Sequence, residues 1–230
     1  MLFRSVLVTG AGPGLGKSTL AERLHAHLSA TEPRAELFRE DEILTHPCFA
    51  EVSATFRASG EVPLAVLVGD ARRYVRDLDE RAVPTVVLDA LFPYLPSLIA
   101  WGHDDATIRR LFDDLGRALA GHRVVQLHLT GDIAAGLARA SAREGAGWLE
   151  RFIAKAETYP VRDAGLVGVE GVIDHLVRTS PREVALLRTA PWPVVELDAD
   201  TSADAVFDAA VAAFSALDAR DPRSVARGGD

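Results

Sequence analysis

Short apolar runs alternate along the chain with longer segments in which apolar residues recur every three or four positions. Val6-Leu7-Val8-Thr9 is a run of the kind that forms a strand covered on both faces. From about Ser18 to Ser29, Leu20, Leu24 and Leu28 fall four apart and share one helical face. Ala35 to Arg39 is a second strand candidate and runs into the acids Glu40-Asp41-Glu42. Residues 46–62 keep no period and read as irregular, whereas residues 64–80 read as a helix. Val83 to Asp89 is a third strand, with Pro84 at its start, where a missing N–H is tolerated. Beyond a loop around Pro93 and Pro96, residues 104–120 predict a helix and Val124 to Leu129 a fourth strand. Residues 132–142 and 148–158 predict two more helices. A glycine-containing stretch, 160–171, leads to a short helix, after which Ser180-Pro181-Arg182-Glu183 has the form of a capping box opening another. Val194 to Leu197 is the fifth strand, and Ser202 caps a last helix with Phe207, Val211 and Phe214 on one face.

Strands separated by helices predict an α/β fold: a three-layer α/β/α sandwich around a five-stranded parallel sheet. One domain is expected over residues 1–217, with a helical lid at about 139–158 and a charged, frayed tail at 218–230. Ligands of such sheets bind beyond the carboxyl ends of the strands, which points to the segments after Thr9, Arg39, Leu88 and Leu129.

Composition narrows the classes. The chain has 230 residues, 48% of them hydrophobic, which suits a packed core and not a disordered protein. No apolar run reaches the roughly 20 residues of a transmembrane helix, and the N-terminus lacks the pattern of a signal peptide. The single cysteine, Cys48, excludes an internal disulfide and suits the cytoplasm. A net charge of −8 argues against nucleic acid or anionic membranes as partners, while leaving room for a local anion site.

Such a site is written after the first strand. Gly10-Ala11-Gly12-Pro13-Gly14-Leu15-Gly16-Lys17-Ser18-Thr19 fits the phosphate-loop pattern G-x-x-x-x-G-K-[ST], with Ala11 in the first glycine's place. Successive backbone N–H groups would line an anion-sized hollow at the positive end of the following helix. The segment from Gly12, Pro13, Gly14 and Leu15 to Gly16, Lys17, Ser18 and Thr19 is therefore the expected nucleotide site. Lys17 would reach the β- and γ-phosphates of ATP, and the Ser18 hydroxyl would bind Mg²⁺. The rival dinucleotide fingerprint, G-x-G-x-x-G, fails in every register. Only two of the 25 basic residues are lysines, Lys17 and Lys155. A chain that otherwise uses arginine keeps lysine at position 17, where a compact charge on a thin stem is needed. Lys155 has no comparable argument and reads as a surface residue.

Three enzyme classes use this loop. With two lysines there is no Asn-Lys-x-Asp to read guanine, which excludes a GTPase. The third strand ends Asp89-Ala90 and not in the Asp-Glu of many motor ATPases. A small-molecule kinase needs a metal-side acid, an acceptor-side base and mobile arginines, and each has candidates. Asp89 ends an apolar strand and would share the Mg²⁺ with Ser18. Glu40 and Asp41 follow the second strand at the same sheet edge; Asp41 is the expected base, Glu40 the alternative. Arg139 and Arg143 are four apart on one helix face before the glycine-rich segment 144–147, as in a lid closing on transferring phosphate. Phe56, Phe92, Tyr94, Trp101 and Phe112 are candidates for core and acceptor pocket alike, Tyr94 being the one assigned to the acceptor. His46-Pro47-Cys48 has no metal-ligand spacing.

The order of elements resembles the deoxynucleoside kinase and thymidylate kinase branch of the P-loop kinases, over about residues 3–217. The helix Leu64 to Val75 is similar to the thymidylate kinase helix that carries a substrate-contacting arginine, a role that would fall to Arg72 or Arg73. Arg139-x-x-x-Arg143-Glu144, followed by Trp148-Leu-Glu-Arg-Phe and Tyr159, resembles the deoxynucleoside kinase lid. Ala190-Pro-Trp-Pro resembles their adenine-flanking loop. The resemblance implies transfer of the γ-phosphoryl group of MgATP to a hydroxyl of a small molecule, and a homodimer. One departure matters: Asp89-Ala90-Leu91 stands where these families carry Asp-Arg or Glu-Arg-Ser. Without that arginine an uncharged acceptor is favoured, a nucleoside or nucleoside-like compound, with antibiotic, sugar and aminocyclitol hydroxyls as alternatives. From another class, a nucleotide-binding regulator with slow ATP hydrolysis and no small acceptor fits the same loop.

Overall fold

The computed structural model describes residues 3–157 and 167–219, the side chains of Ala146, Asp218 and Ala219 excepted. Five strands, β1 (Arg4–Gly10), β2 (Glu36–Phe38), β3 (Thr85–Asp89), β4 (Arg123–Thr130) and β5 (Val194–Asp198), form one sheet in the order β2-β3-β1-β4-β5. All four pairings are parallel. The order places β1 at the centre, so the loop that follows it opens over the middle of the sheet, between the ends of β3 and β4.

Strand alternation sorts the core into two layers. Val6 and Val8 of β1, Val87 of β3 and Val125, Leu127 and Leu129 of β4 point to one face. There they pack under helices α1 (Lys17–Ser29) and, in the C-terminal segment, α9 (Ala203–Ala219). Leu7, Val86, Leu88 and Val124 point to the other face. That face is covered by α3 (Leu64–Glu80), α5 (Asp105–Ala118) and the end of α8 (Gly168–Leu187). In α3, Leu67, Ala71, Tyr74, Val75 and Leu78 share a buried stripe at helical spacing. Burying each large side chain of this kind contributes about 1.5–3 kcal/mol. Among the described residues no helix is long and apolar enough to cross a membrane.

Three expectations need correction. Residues 46–62 are not irregular: a 3₁₀ turn at Pro47–Phe49 leads into α2 (Ala50–Ser59), which stops at Gly60 with φ of 76°. The start of α2 is held from outside, because the buried Asp70 carboxylate of α3 accepts a hydrogen bond from Val52 N–H at 2.9 Å. The loop of residues 90–104 contains a short helix, α4 (Leu95–Ala100). The capping box at Ser180 does not open a helix, since α8 runs unbroken through Pro181. Its inward face continues on both sides of the proline through Val172, His175, Glu183, Leu186 and Leu187. Packing of that face outweighs the N–H that proline lacks. The segment expected as a lid, 139–158, falls on the end of α6 (Ile133–Glu144) and on α7 (Ala146–Ala156), which part at Gly145 with φ of 85°. The ends of the expected helix at 158, Tyr159, most of 160–171 and the tail beyond 219 lie outside the described residues.

Candidate active site

A cleft of about 900 Å³ opens at the carboxyl ends of β1, β3 and β4. That volume is enough for a nucleotide together with a small second ligand.

Its floor is the loop after β1. Gly16 caps α1 in the left-handed region, φ 89°, and aims the first amides of the helix at the cleft. Gly14, at φ 71°, lies so close to α6 that a Cβ there would overlap the carbonyl oxygen of Gly136. Lys17 Nζ donates to its own loop, to Gly12 O at 2.7 Å. Burial lowers the pKa of Lys17, and the carboxylates of Glu40, Asp89 and Glu183 oppose that shift. The ammonium thus faces three acids across the cleft.

The metal-side residues come together. Asp89 is 4% exposed, and the Ser18 hydroxyl lies beside its carboxyl in the cleft. Burial raises the Asp89 pKa, with Ser18 and Lys17 pulling the other way. Asp89 Oδ1 has no hydrogen-bond partner. A buried carboxylate oxygen left unpaired beside a hydroxyl is a donor set suited to a hard divalent cation. The two expected Mg²⁺ ligands therefore fit that ion. Ala90 follows at φ 55°, its N–H on Val8 O at 2.8 Å, so the chain turns sharply away beneath the cleft.

Opposite Lys17, a 3₁₀ turn at Glu40–Leu44 brings both acids to the cleft. The two differ. Burial pushes the Glu40 carboxyl upward, while Lys17 and then Lys155 draw it down and Asp89 adds to the rise. The Glu40 carboxyl is thus coupled electrostatically to Lys17, Asp89 and Lys155. Asp41 lines the cleft beside it.

Among the other expected residues, Gly12, Pro13, Gly14, Gly16, Thr19, Tyr94 and Arg143 line the cleft. Leu15 does not: its side chain is in the core beneath α1, leaving only its backbone for the cradle. Arg139 turns the other way and donates from Nε to Gly14 O at 3.2 Å, which ties α6 to the back of the loop. Arg72 and Arg73 are also outside the cleft. Arg73 pairs with Asp70 and with Glu51, on the far side of α3, and Arg72 is exposed. The stripe that α3 buries contains Ala71 and Tyr74, so both arginines point outward. Phe92 and Phe112 are core residues, whereas Phe56 and Trp101 line the cleft. The Ala190-Pro-Trp-Pro loop does not flank it: Trp192 is buried against Phe112 and donates from Nε1 to Gln126 Oε1 at 2.8 Å. Lys155 is exposed, as expected of a surface residue, and stands at the cleft, its ammonium 5.3 Å from the Phe56 ring centre.

Three residues escaped sequence reasoning. On β4, Gln126 and His128 alternate with the apolar residues and face the cleft, 0% and 2% exposed. Gln126 Nε2 donates to Thr9 Oγ1 at 2.9 Å, and the same hydroxyl is 3.1 Å from His128 Nδ1. Burial pushes His128 down to about 4, which keeps the ring neutral. The signal was present: in Arg123-Val-Val-Gln-Leu-His-Leu-Thr130 two polar residues break an apolar run at period two. The third is Glu183 of α8, 1% exposed, pushed up to about 8 by burial. It carried no sequence signal of its own.

No family model matches this chain, and no curated protein matches it. Among solved structures, an unliganded sugar kinase from Janibacter sp. HTCC2649 superposes with a TM-score of 0.49 and 19% identity, covering 94% of this chain and 98% of that one. Thymidylate kinase from Ehrlichia chaffeensis superposes with a TM-score of 0.48 and 15% identity, covering 91% and 97%.

Proposed function

We propose that this protein is an ATP-dependent small-molecule kinase, transferring the γ-phosphoryl group to a hydroxyl of an acceptor that carries no phosphate. The observation that supports it best is the grouping of Lys17, Ser18, Asp89 and Glu40 at one end of the sheet, next to a phosphate loop and a second pocket. The loop amides and Lys17 would hold the β- and γ-phosphates and stabilise charge as the transfer proceeds. Ser18 and Asp89 would hold Mg²⁺, which neutralises part of the phosphate charge when bound. Glu40 would accept the proton of the attacking hydroxyl. The acceptor oxygen bonds to the γ-phosphorus as the bond to the β–γ bridging oxygen breaks, and ADP leaves. Asp41, beside Glu40, would help to orient the acceptor. Arg143 would close over the phosphates from the lid.

The second pocket argues about the acceptor. Its wall is mostly apolar and aromatic, through Phe56, Val62, Leu67, Tyr94 and Trp101, with the Lys155 ammonium over the Phe56 ring. Such a wall favours an acceptor without a phosphate. Nucleosides and nucleoside-like compounds, sugars and aminocyclitols all remain compatible with that wall.

The test is ADP release from MgATP by the full chain, with and without panels of these compounds, for wild type and Lys17→Ala. Acceptor-stimulated release that Lys17→Ala abolishes supports the kinase. Release that no acceptor stimulates overturns it in favour of a slow nucleotide-hydrolysing regulator.

A further inference from the structure

Glu183 is a cleft carboxylate for which phosphoryl transfer has no use. It sits on α8, and its place there is rigid. Next to it Arg182 donates from Nε to Asp105 Oδ1 and from Nη2 to His103 O, both at 2.8 Å. Leu186 and Leu187, one turn on, are 1% exposed in the core. The carboxyl therefore cannot swing out to water. Its Oε2 atom has no hydrogen-bond partner, although the side chain lines the cleft.

The surroundings narrow what that oxygen awaits. Besides Asp89 Oδ1 and His128 Nε2, two further buried polar atoms of the same cleft lack partners, Tyr94 Oη and Trp101 Nε1. Both belong to the wall of residues 90–101, which the Arg182 bonds draw against α8. Lys17 is the cation closest in electrostatic terms, and the phosphates claim it. The charged and titratable groups that share the cleft with Glu183 are Lys17 of α1, Arg39, Glu40 and Asp41 after β2, Asp89 of β3, Tyr94 of the 90–101 wall, His128 of β4, Arg143 and Glu144 of α6, Lys155 of α7 and His175 of its own helix. Burial lowers both histidines, so neither supplies a charge. A buried acid that shares the cleft with two aromatic side chains favours a cation as its partner.

We propose that Glu183 binds an ammonium group of the acceptor, so that the substrate class is a hydroxylated amine, such as an amino sugar, an aminocyclitol or an amino-substituted nucleoside. The amine is held at Glu183 while the reacting hydroxyl meets Glu40 and Lys17. This rests on the kinase reading above. It makes Glu183 a specificity-determining residue and predicts proton linkage. The carboxyl is largely protonated in the empty cleft at pH 7 and must ionise against an ammonium, releasing about one proton per amine bound.

The experiment uses matched pairs: glucosamine and glucose, 2-deoxystreptamine and scyllo-inositol, 3′-amino-3′-deoxyadenosine and adenosine. ADP release is followed for wild type, Glu183→Gln and the apolar Glu183→Leu, each first checked for a cooperative melt. An amine should be turned over with kcat/KM about 10–100-fold above its hydroxyl partner. Both variants should lose that preference through KM, with kcat little changed. Calorimetry of amine binding in two buffers of different ionisation heat should find the proton released by wild type and none released by either variant. Equal or better turnover of the hydroxyl partners, or a preference that survives in both variants, overturns the assignment of Glu183 alone. Release stimulated by no compound overturns the kinase reading and this assignment with it.

Discussion

The two ends of the cleft are built differently. The end proposed to hold the phosphates is one continuous segment, Gly10 to Thr19, which offers mostly backbone amides, with Lys17 and Ser18 added. The far end is assembled from the 3₁₀ turn after β2, from α2, from the 90–101 wall and from α8, segments more than 140 residues apart in the chain. In the first, chemistry follows from the turn that glycines permit. In the second, each side chain matters only because packing has turned it inward. Substitutions at the phosphate end should therefore abolish a common step, whereas those at the far end should change which molecule reacts.

The largest effect should come from Lys17→Ala, with phosphoryl transfer falling by about a thousandfold or more while the melting temperature holds. Steady-state kcat beside a thermal melt checks both halves, and near-normal turnover would break the comparison at its strongest point. Glu40→Gln should cost about 10²–10⁴ in kcat, and Asp41→Asn less than tenfold. Because burial raises the Glu40 pKa and the base acts ionised, kcat of the wild type should rise with pH through that pKa and then level off. Reversed magnitudes for the two variants would restore Asp41 as the base.

Gly14→Ala tests the backbone character of the phosphate end. The added methyl group meets Gly136 O in a left-handed residue, so a loss of about 2–4 kcal/mol is expected, read from denaturant melts. Glu183 supplies a pH test of the far end. Its folded pKa, about 8, stands above the unfolded carboxylate value, so the folded state binds the extra proton between roughly pH 4.5 and 8. Its contribution is fully present below that window and is lost as pH rises through it. Wild-type stability should fall across the window relative to Glu183→Gln, and parallel curves would contradict this. The smallest effect belongs to Arg72→Ala, which should leave kcat and KM within about twofold, as for a surface change. A large KM increase would return α3 to the acceptor site.

Much of this was legible beforehand, for reasons that differ by residue. The hydrophobic runs of β1, β3 and β4 and the stripe of α3 announced the parallel sheet, because strand and helix periods are local. The α2 helix was hidden because its start depends on Asp70, 18 residues away in α3. The resemblance to thymidylate kinases put Arg72 or Arg73 at the acceptor, yet Ala71 and Tyr74 take the inward positions and send both arginines out.

The sequence by itself determined the phosphate loop, the lysine at its centre, the acid ending β3 and the alternation that makes the fold. Each depends on neighbours within a turn or a strand, where backbone geometry leaves few choices. Only the tertiary structure decided that Glu40 faces Lys17, that Arg139 braces the loop from behind, and that Glu183 enters the cleft. Those outcomes depend on which face each helix buries against the same sheet. That choice is made by the summed packing of distant segments and is written in none of them alone.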